Sequence, residues 1–213
     1  SLKSKNIKEF SKLYIKRLNE IFLSIDENEL IKLEKTFNQA RIKENTIFVF
    51  GNGGSASTAT TIANDLGFDI LKKTKAKKTF KFLCLNDNTS VLTAIANDVG
   101  YENVFINQLK IHFKKGDIAL IISASGNSKN LIKAAKWLKQ KNCKILSLVG
   151  FSGGKIKELS DICIHAKCDN VEYGPIEDIH LILNHNHIFQ SKERKKFQAR
   201  IHLNLLEANF AIY

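Results

Sequence analysis

The chain has 213 residues, of which 44% are hydrophobic and 25% are charged, and its formal net charge is +12. These proportions are close to globular averages and exclude disordered and collagen-like proteins. A chain of this length is expected to bury a full core without disulfide or metal staples. Its longest apolar run, Ile118–Ile122, is far shorter than the roughly 18 apolar residues that cross a membrane.

The excess positive charge is concentrated in two segments, Lys72–Lys81 and Lys192–Arg200. A strongly basic protein can have a nucleic acid partner or an anionic substrate. Aromatic residues do not alternate with these lysines as a stacking platform for bases would require. We therefore interpret both segments as solvated surface and expect no nucleic acid partner.

The cysteines do not form a metal-binding or disulfide pattern. There is no CxxC pair among the four, which are Cys84, Cys143, Cys163 and Cys168. Three of them lie in or beside apolar runs, where a free cysteine behaves as a small hydrophobic residue. The early lysines are not followed by an apolar stretch, so no signal peptide is predicted. The pattern of cysteines, together with the lack of a predicted signal peptide, predicts a reducing, cytoplasmic compartment.

The first 45 residues show helical periodicity. Apolar residues recur every three and four positions from Ile7 to Phe22. A second helix is predicted to begin at Asp26, with Glu29 three residues after this cap. We expect this arm, residues 1–45, to pack on the core or on a neighbouring subunit.

From residue 46 to residue 190, short apolar runs alternate with helical segments. The predicted strands are Thr46–Phe50, Phe80–Leu85, Asp117–Ile122, Lys144–Val149 and Ile162–Ala166. The predicted helices are Ala56–Leu66, Ser90–Asn97, Asn103–Phe113, Asn130–Lys141, Lys155–Leu159 and Ile176–Gln190. This alternation is typical of a parallel sheet covered on both faces. We predict a doubly wound α/β domain, whose ligands bind beyond the carboxyl ends of the strands.

Two loops at strand ends have the composition of anion-binding turns. The first strand is followed by GNGGS at 51–55, whose glycines allow a close approach to a ligand before a helix begins. The third strand is followed by SASGNS at 123–128, which offers hydroxyl donors without charge. Together they favour a phosphorylated, polyhydroxylated small molecule.

The first loop also fits the G-x-G-x-x-A dinucleotide pattern. That pattern expects an acidic residue at the end of the second strand, about 20 residues on. The acid nearest that distance is Asp69, which lies before the lysine run, whereas Asp87 lies 36 residues on. No Gly-Lys-Ser/Thr follows the glycines, so a P-loop is excluded. We therefore expect no nucleotide cofactor.

Four motifs occur along the chain in an order and spacing known from one family. They are GNGGS at 51–55, LTAIAND at 92–98, SASGNS at 123–128 and EDIH at 177–180. Together they resemble the phosphoheptose isomerase branch of the sugar isomerase (SIS) domain family. The resemblance extends from about Phe10 to Gln190 and rests on the set, since no single motif is specific.

The resemblance implies a five-stranded parallel sheet of the flavodoxin-like type and a homotetramer with active sites at subunit interfaces. It implies interconversion of sedoheptulose 7-phosphate and a mannoheptose 7-phosphate for lipopolysaccharide or capsule synthesis, often with a bound divalent metal. The residues that match its substrate-binding positions are Asn52, Gly53, Gly54, Ser55, Asn97, Asp98, Ser123, Ala124, Ser125 and Ser128.

The chain departs from the family at the zinc ligands. The family's first His falls at Thr61, its Glu at Asp65 and its Gln at Glu177, whereas its second His is kept as His185. Threonine is a poor zinc ligand. Asp65, Glu177 and His185 remain as three groups able to hold a divalent ion such as zinc, with open positions.

The same residues are the candidates for proton transfer. An aldose–ketose isomerisation needs a base for the carbon proton and an acid for the oxygen. By resemblance, Asp65 and His185 are the acid–base pair, and Glu177 either compensates for the shorter Asp65 or is itself the base. His180 lies on another side of the helix and is expected to pack or cap.

Residues 191–213 lie beyond the usual family end and are predicted to form an additional apolar helix. We expect that helix to pack on the core or on a neighbouring subunit. The departure at Thr61 keeps a second hypothesis open, a non-catalytic SIS module that binds a replication initiator protein or senses a sugar phosphate.

Overall fold

A five-stranded parallel sheet forms the centre of the protein in a computed structural model, which describes residues 5–69, 78–169 and 172–185. The strands are β1 (Thr46–Gly51), β2 (Lys81–Cys84), β3 (Ile118–Ser123), β4 (Lys144–Val149) and β5 (Ile162–His165). Their order across the sheet is β2-β1-β3-β4-β5 and all pairs are parallel. This is the flavodoxin-like order, so the predicted fold class is confirmed.

Eight helices are described. They are α1 (Ile7–Leu23), α2 (Glu27–Lys43), α3 (Gly54–Ile62), α4 (Thr89–Val99), α5 (Val104–His112), α6 (Lys129–Gln140), α7 (Gly154–Leu159) and α8 (173–185). The side chains of Asn6 and Asp26 accept hydrogen bonds from backbone N–H groups in the first turns of α1 and α2. Such caps satisfy donors that a helix start leaves free, so the predicted boundary at Asp26 is confirmed.

Alternating side chains of β1 pack into separate cores on the two faces of the sheet. Ile47 and Val49 lie in the core that also holds apolar residues of α1, α2 and α3, whereas Phe48 and Phe50 lie in the core with α5 and α6. All four are fully buried. This period of two, buried on both sides, is what the near-continuous apolar strands predicted.

The helix after β1 differs from the prediction at its end. The sequence predicted one α-helix over Ala56–Leu66, but α3 ends at Ile62 and continues as a π-helical turn over Ala63–Asp69. The hydroxyl of Thr61 donates to the carbonyl of Ser57, a contact that weakens regular helix geometry. π-helical turns are frequent at functional sites, and this one contains Asp65.

Helix α1 is attached to the beginning of α8 by polar contacts. Arg17 pairs with both carboxylate oxygens of Glu172, at 2.9 and 2.6 Å, and the hydroxyl of Tyr14 donates to Asp178 at 2.5 Å. A forked guanidinium–carboxylate pair fixes orientation as well as distance. The N-terminal arm therefore packs on its own chain next to Glu177.

Two predicted segments fall wholly or largely outside the described residues. The predicted helix over residues 191–213 is one, together with Lys192–Arg200, and most of Lys72–Lys81 is the other. In the part of the chain that the structure does describe, no helix has the length and apolar character needed to span a bilayer.

Candidate active site

The two anion-binding loops lie side by side at one edge of the sheet. They follow β1 and β3, which are adjacent strands, and the strand order reverses direction between them. In open α/β sheets, ligands bind at this switch point, beyond the carboxyl ends of the strands. The loops GNGGS and SASGNS therefore border one cleft.

The backbone of the first loop is held by a residue that the sequence did not suggest. The amide of Asn86, just after β2, accepts from the N–H of Gly51 and donates to its carbonyl, at 3.2 and 2.9 Å. Gly53 has φ of 56° and ψ of −126°, a conformation that is open only to glycine. The loop is thus fixed in a shape that presents the start of α3 to the cleft.

Asn52 joins the two loops. Its amide exchanges two hydrogen bonds with the amide of Asn130, both 2.9 Å, and its Oδ1 also accepts from the Tyr101 hydroxyl at 3.0 Å. Asn130 is buried in the first turn of α6. Neither partner was predicted, because their distance from Asn52 along the chain gives no periodic signal.

Hydroxyl groups shape the second loop. Ser123 Oγ accepts from the N–H of Gly126 at 3.0 Å, and Ser125 Oγ accepts from the N–H of Asn127 at 3.3 Å. Accepting these bonds leaves each hydroxyl hydrogen able to donate to a ligand. Ser128 precedes α6 without capping it through its side chain. The donors predicted for a phosphate are thus present on a shaped turn.

The predicted residues Asn97 and Asp98 lie at the end of α4. The Asn97 amide donates to the Asp98 carboxylate at 2.9 Å, and both side chains are exposed. The link from this region to the first loop is made by Tyr101, a few residues later.

The structure brings Asp65 and His185 together. Asp65 Oδ2 lies 3.8 Å from His185 Nε2, and the Asp65 side chain is 14% exposed whereas that of His185 is 53% exposed. The amide of Asn184 donates to Asp65 Oδ2 at 2.6 Å, and that of Asn64 donates to Oδ1 at 3.0 Å. A half-buried carboxylate therefore lies beside an accessible imidazole, as an acid–base pair requires.

Glu177 lies away from this pair. A Cβ at Gly54 would be 2.3 Å from the Glu177 carboxylate, so this carboxylate covers the first turn of α3. The positive end of a helix attracts such a charge. Asp65 lies eleven residues further along, or about 16 Å at 1.5 Å per residue.

The structure does not bring together the three residues that were predicted to hold zinc. The Thr61 hydroxyl is used within its own helix, and both oxygens of Asp65 accept hydrogen bonds from amides. Within residues 5–69, 78–169 and 172–185, no three His, Cys, Asp or Glu side chains are arranged to hold a metal. Of the three residues predicted to bind zinc, Asp65 and His185 lie together, whereas Glu177 lies at the start of α3.

His180 is packed in the interior, in agreement with its predicted packing role. It is 1% exposed, and the polar group that its ring approaches is the backbone of Val149, without the geometry of a full hydrogen bond. Burial lowers the pKa of His180 to about 4, because a charged ring would lose its hydration. The ring is therefore neutral in the folded protein near neutral pH.

This burial predicts acid sensitivity of the fold. Unfolded His180 binds a proton near pH 6.5 but the folded protein does so only near pH 4, so the free energy of unfolding falls as the pH falls between these values. The loss reaches up to about 3 kcal/mol. Replacing His180 with leucine should flatten urea-unfolding stability over this range, whereas replacing the exposed His112 with glutamine should not. Equal slopes for the His180 variant and the native protein would contradict this role.

This chain is similar to known proteins in both sequence and fold. The family model of the SIS domain matches residues 13–150. Phosphoheptose isomerase 2 of Campylobacter jejuni is 39% identical over 164 residues, which are 75% of this chain and 79% of that protein. The phosphoheptose isomerase of Nitratiruptor is 34% identical over 181 residues, 85% and 91% of the two chains.

A solved structure agrees with these relatives. The structure of phosphoheptose isomerase GmhA from Neisseria gonorrhoeae has a TM-score of 0.74 and 27% identity, with 85% of this chain and 94% of that chain covered. Of the four motifs that suggested the resemblance, GNGGS and SASGNS stand at the ends of β1 and β3, whereas LTAIAND and EDIH lie in α4 and α8. The chain belongs to the SIS domain family, in its phosphoheptose isomerase branch.

Proposed function

We propose that this chain is an aldose–ketose isomerase that interconverts sedoheptulose 7-phosphate and D-glycero-D-manno-heptose 7-phosphate. The observation that carries the proposal is the contact of Asp65 with His185 in a chain whose two switch-point loops offer neutral donors. Relatives named phosphoheptose isomerase support the substrate class. The product would enter lipopolysaccharide or capsule synthesis.

The phosphate and hydroxyl groups of the substrate would be bound by the loops. Ser123, Ser125 and Ser128 offer hydroxyls, and the start of α6 adds N–H groups and a partial positive charge. Asn52, held by Asn130, presents an amide at the adjacent loop. Asn97 and Asp98 would complete the set of sugar contacts.

Proton transfer would use the pair on the π-helical turn and α8. Because Asp65 lies about 16 Å along the helix from Gly54 of the first loop, the active site would be completed by a neighbouring subunit of the proposed tetramer. Asp65 would remove the proton from the carbon next to the carbonyl and return it to the neighbouring carbon of the enediolate. His185 would supply and accept the proton that moves between the two oxygens. Hydrogen-bond donors, including imidazole, would stabilise the negative charge that develops on the enediolate oxygen.

We propose a homotetramer with active sites at subunit interfaces and a cytoplasmic location. Large apolar side chains on α1 are exposed in the single chain, among them Ile7, Ile15 and Leu23. Their burial by a neighbouring subunit would remove the cost of that exposure. All four cysteines are free thiols, which supports a reducing compartment.

The test is direct conversion. Purified protein is incubated with sedoheptulose 7-phosphate, with and without added zinc, and the aldose is followed by NMR. Appearance of the mannoheptose 7-phosphate supports the proposal. If no product forms but the sugar phosphate stabilises the protein against heat, the chain is a sugar-phosphate sensor. Saturation at a hundred times the dissociation constant would stabilise by about 2.7 kcal/mol. If neither occurs, a partner-binding module remains.

A further inference from the structure

Asn184 is a polar residue in an apolar surrounding. It lies on α8 and is 2% exposed. One end of its amide donates to Asp65 Oδ2 at 2.6 Å, while its Oδ1 has no hydrogen-bond partner among the described residues. The same side chain borders a small cavity whose other lining residues are all apolar, including Leu33, Phe37, Ile62, Leu66 and Leu183.

Stability does not explain an asparagine at this position. A buried acceptor without a partner costs its full desolvation, and leucine has a similar size and would extend the surrounding apolar packing. Residues that are kept at a cost to stability are typical of functional sites. Among the described residues, the one hydrogen bond that the Asn184 side chain makes is to Asp65.

The hydrogen bond determines how the Asp65 carboxylate is presented. Asn184 holds Oδ2, the same oxygen that lies 3.8 Å from His185 Nε2, and Asn64 holds Oδ1. A carboxylate fixed by two amide donors cannot rotate freely. Such support from a neighbouring residue keeps a base in its productive geometry.

The group that faces Asp65 on α8 is a hydrogen-bond donor. The Asn184 N–H uses one acceptor site on Oδ2, and the amide nitrogen itself is not a metal ligand. Thr61 and Glu177 are both engaged elsewhere, at Ser57 and at the start of α3. The surroundings of Asp65 thus provide a hydrogen-bond donor where the family provides metal ligands.

We propose that Asn184 is the positioning residue of Asp65 and that its amide replaces a divalent metal at this carboxylate, so that turnover requires no bound metal. The proposal deepens the isomerase function and rests on it for its kinetic part. The claim that no metal binds Asp65 rests only on the side chains around Asp65, so it is tested separately from activity.

The first experiment measures zinc binding without reference to activity. Metal-stripped native protein and the D65N variant are titrated with zinc by calorimetry under identical conditions. We expect the same isotherm for both, because Asp65 is not a ligand. A one-equivalent site in the native protein whose affinity falls tenfold or more in D65N would overturn the proposal.

The second experiment measures turnover after Asn184→Leu. We expect kcat to fall about 10- to 100-fold, because the base loses its orientation, with KM changed less than about threefold. The midpoint of thermal unfolding should stay within about 4 °C of the native value, since the lost hydrogen bond is offset by apolar packing. Asn38→Leu, which removes another partly buried asparagine hydrogen bond on α2, serves as the matched control with native turnover.

Two further measurements keep the outcomes distinct. If Asn184→Leu does not fold, Asn184→Val, which is smaller and also lacks the N–H donor, should lose kcat in the same way. Native kcat in either variant overturns the positioning role. If chelation abolishes native turnover and zinc restores it, the isomerase function stands and this proposal fails. If neither form converts sedoheptulose 7-phosphate, the proposed function fails, and the zinc titration still decides the metal question.

Discussion

Replacing Asp65 with asparagine should lower kcat for the isomerisation of sedoheptulose 7-phosphate by about a thousandfold, because a positioned base contributes 10²- to 10⁴-fold. The substitution keeps the size of the side chain and an oxygen that can accept the Asn184 amide bond. The fold should therefore be retained. The rate is measured by NMR, together with the exchange of the substrate's C1 proton in deuterated water, which reports carbon-proton removal directly.

Two variants give this prediction its controls. Asp26→Asn changes another carboxylate to an amide, at the cap of α2, where both residue types function equally well. It should turn over at the native rate. His185→Gln should also lose about a hundredfold in kcat, since it removes the partner acid. If Asp65→Asn retains native proton exchange, another group is the base, and Glu177→Gln would be examined next.

The fold could be predicted well because its signals are local. Strands such as β1 and β4 are short apolar runs ended by glycine or polar residues, and burial on both faces requires that composition. The two loops were predictable for the same reason, since glycine at φ of 56° in Gly53 and φ of 64° in Gly126 serves a local backbone shape. Local rules thus gave the sheet and the place of the cleft.

The contacts that complete the site were not predictable in the same way. Asn86 and Asn130 hold Gly51 and Asn52 across 35 and 78 residues of chain, and no periodicity marks such pairs. The position of Asp65 beside His185 followed from family resemblance. The π-helical turn that carries Asp65 was missed, because the apolar periodicity of this segment does not distinguish a π-helical turn from an α-helix.

The position of Glu177 shows why a site residue cannot be assigned from its position in the sequence alone. The family resemblance predicted that Glu177 and His185 would share an ion with Asp65. In the structure the carboxylate instead covers Gly54, where a helix start favours negative charge. Competition between two attractive positions for one side chain is a three-dimensional question that a helical wheel cannot answer.

Replacing Gly126 with alanine should both destabilise the protein and weaken substrate binding. Gly126 has φ of 64°, where an alanine costs roughly 1–2 kcal/mol, and its Cβ would lie 1.9 Å from the carbonyl oxygen of Gly153. Because that atom belongs to the backbone, one of the two loops must move. We expect a loss of more than about 2 kcal/mol in the free energy of unfolding, or at least about 5 °C in the melting temperature. Displacement of Ser123 and Ser125 should raise KM for the sugar phosphate at least about tenfold, because the phosphate donors are no longer aligned.

Gly67→Ala is the matched control for the stability part of this prediction. Gly67 lies in the helical turn after α3, and a Cβ there meets no atom within 4 Å. Alanine in a helix is more favourable than glycine by up to about 1 kcal/mol, so this variant should melt at or above the native temperature. Urea unfolding of both variants separates the clash from the general effect of removing a glycine. Native stability with a native KM in Gly126→Ala would mean that the loop accommodates a methyl group, and the serine turn would then not be the rigid phosphate site described above.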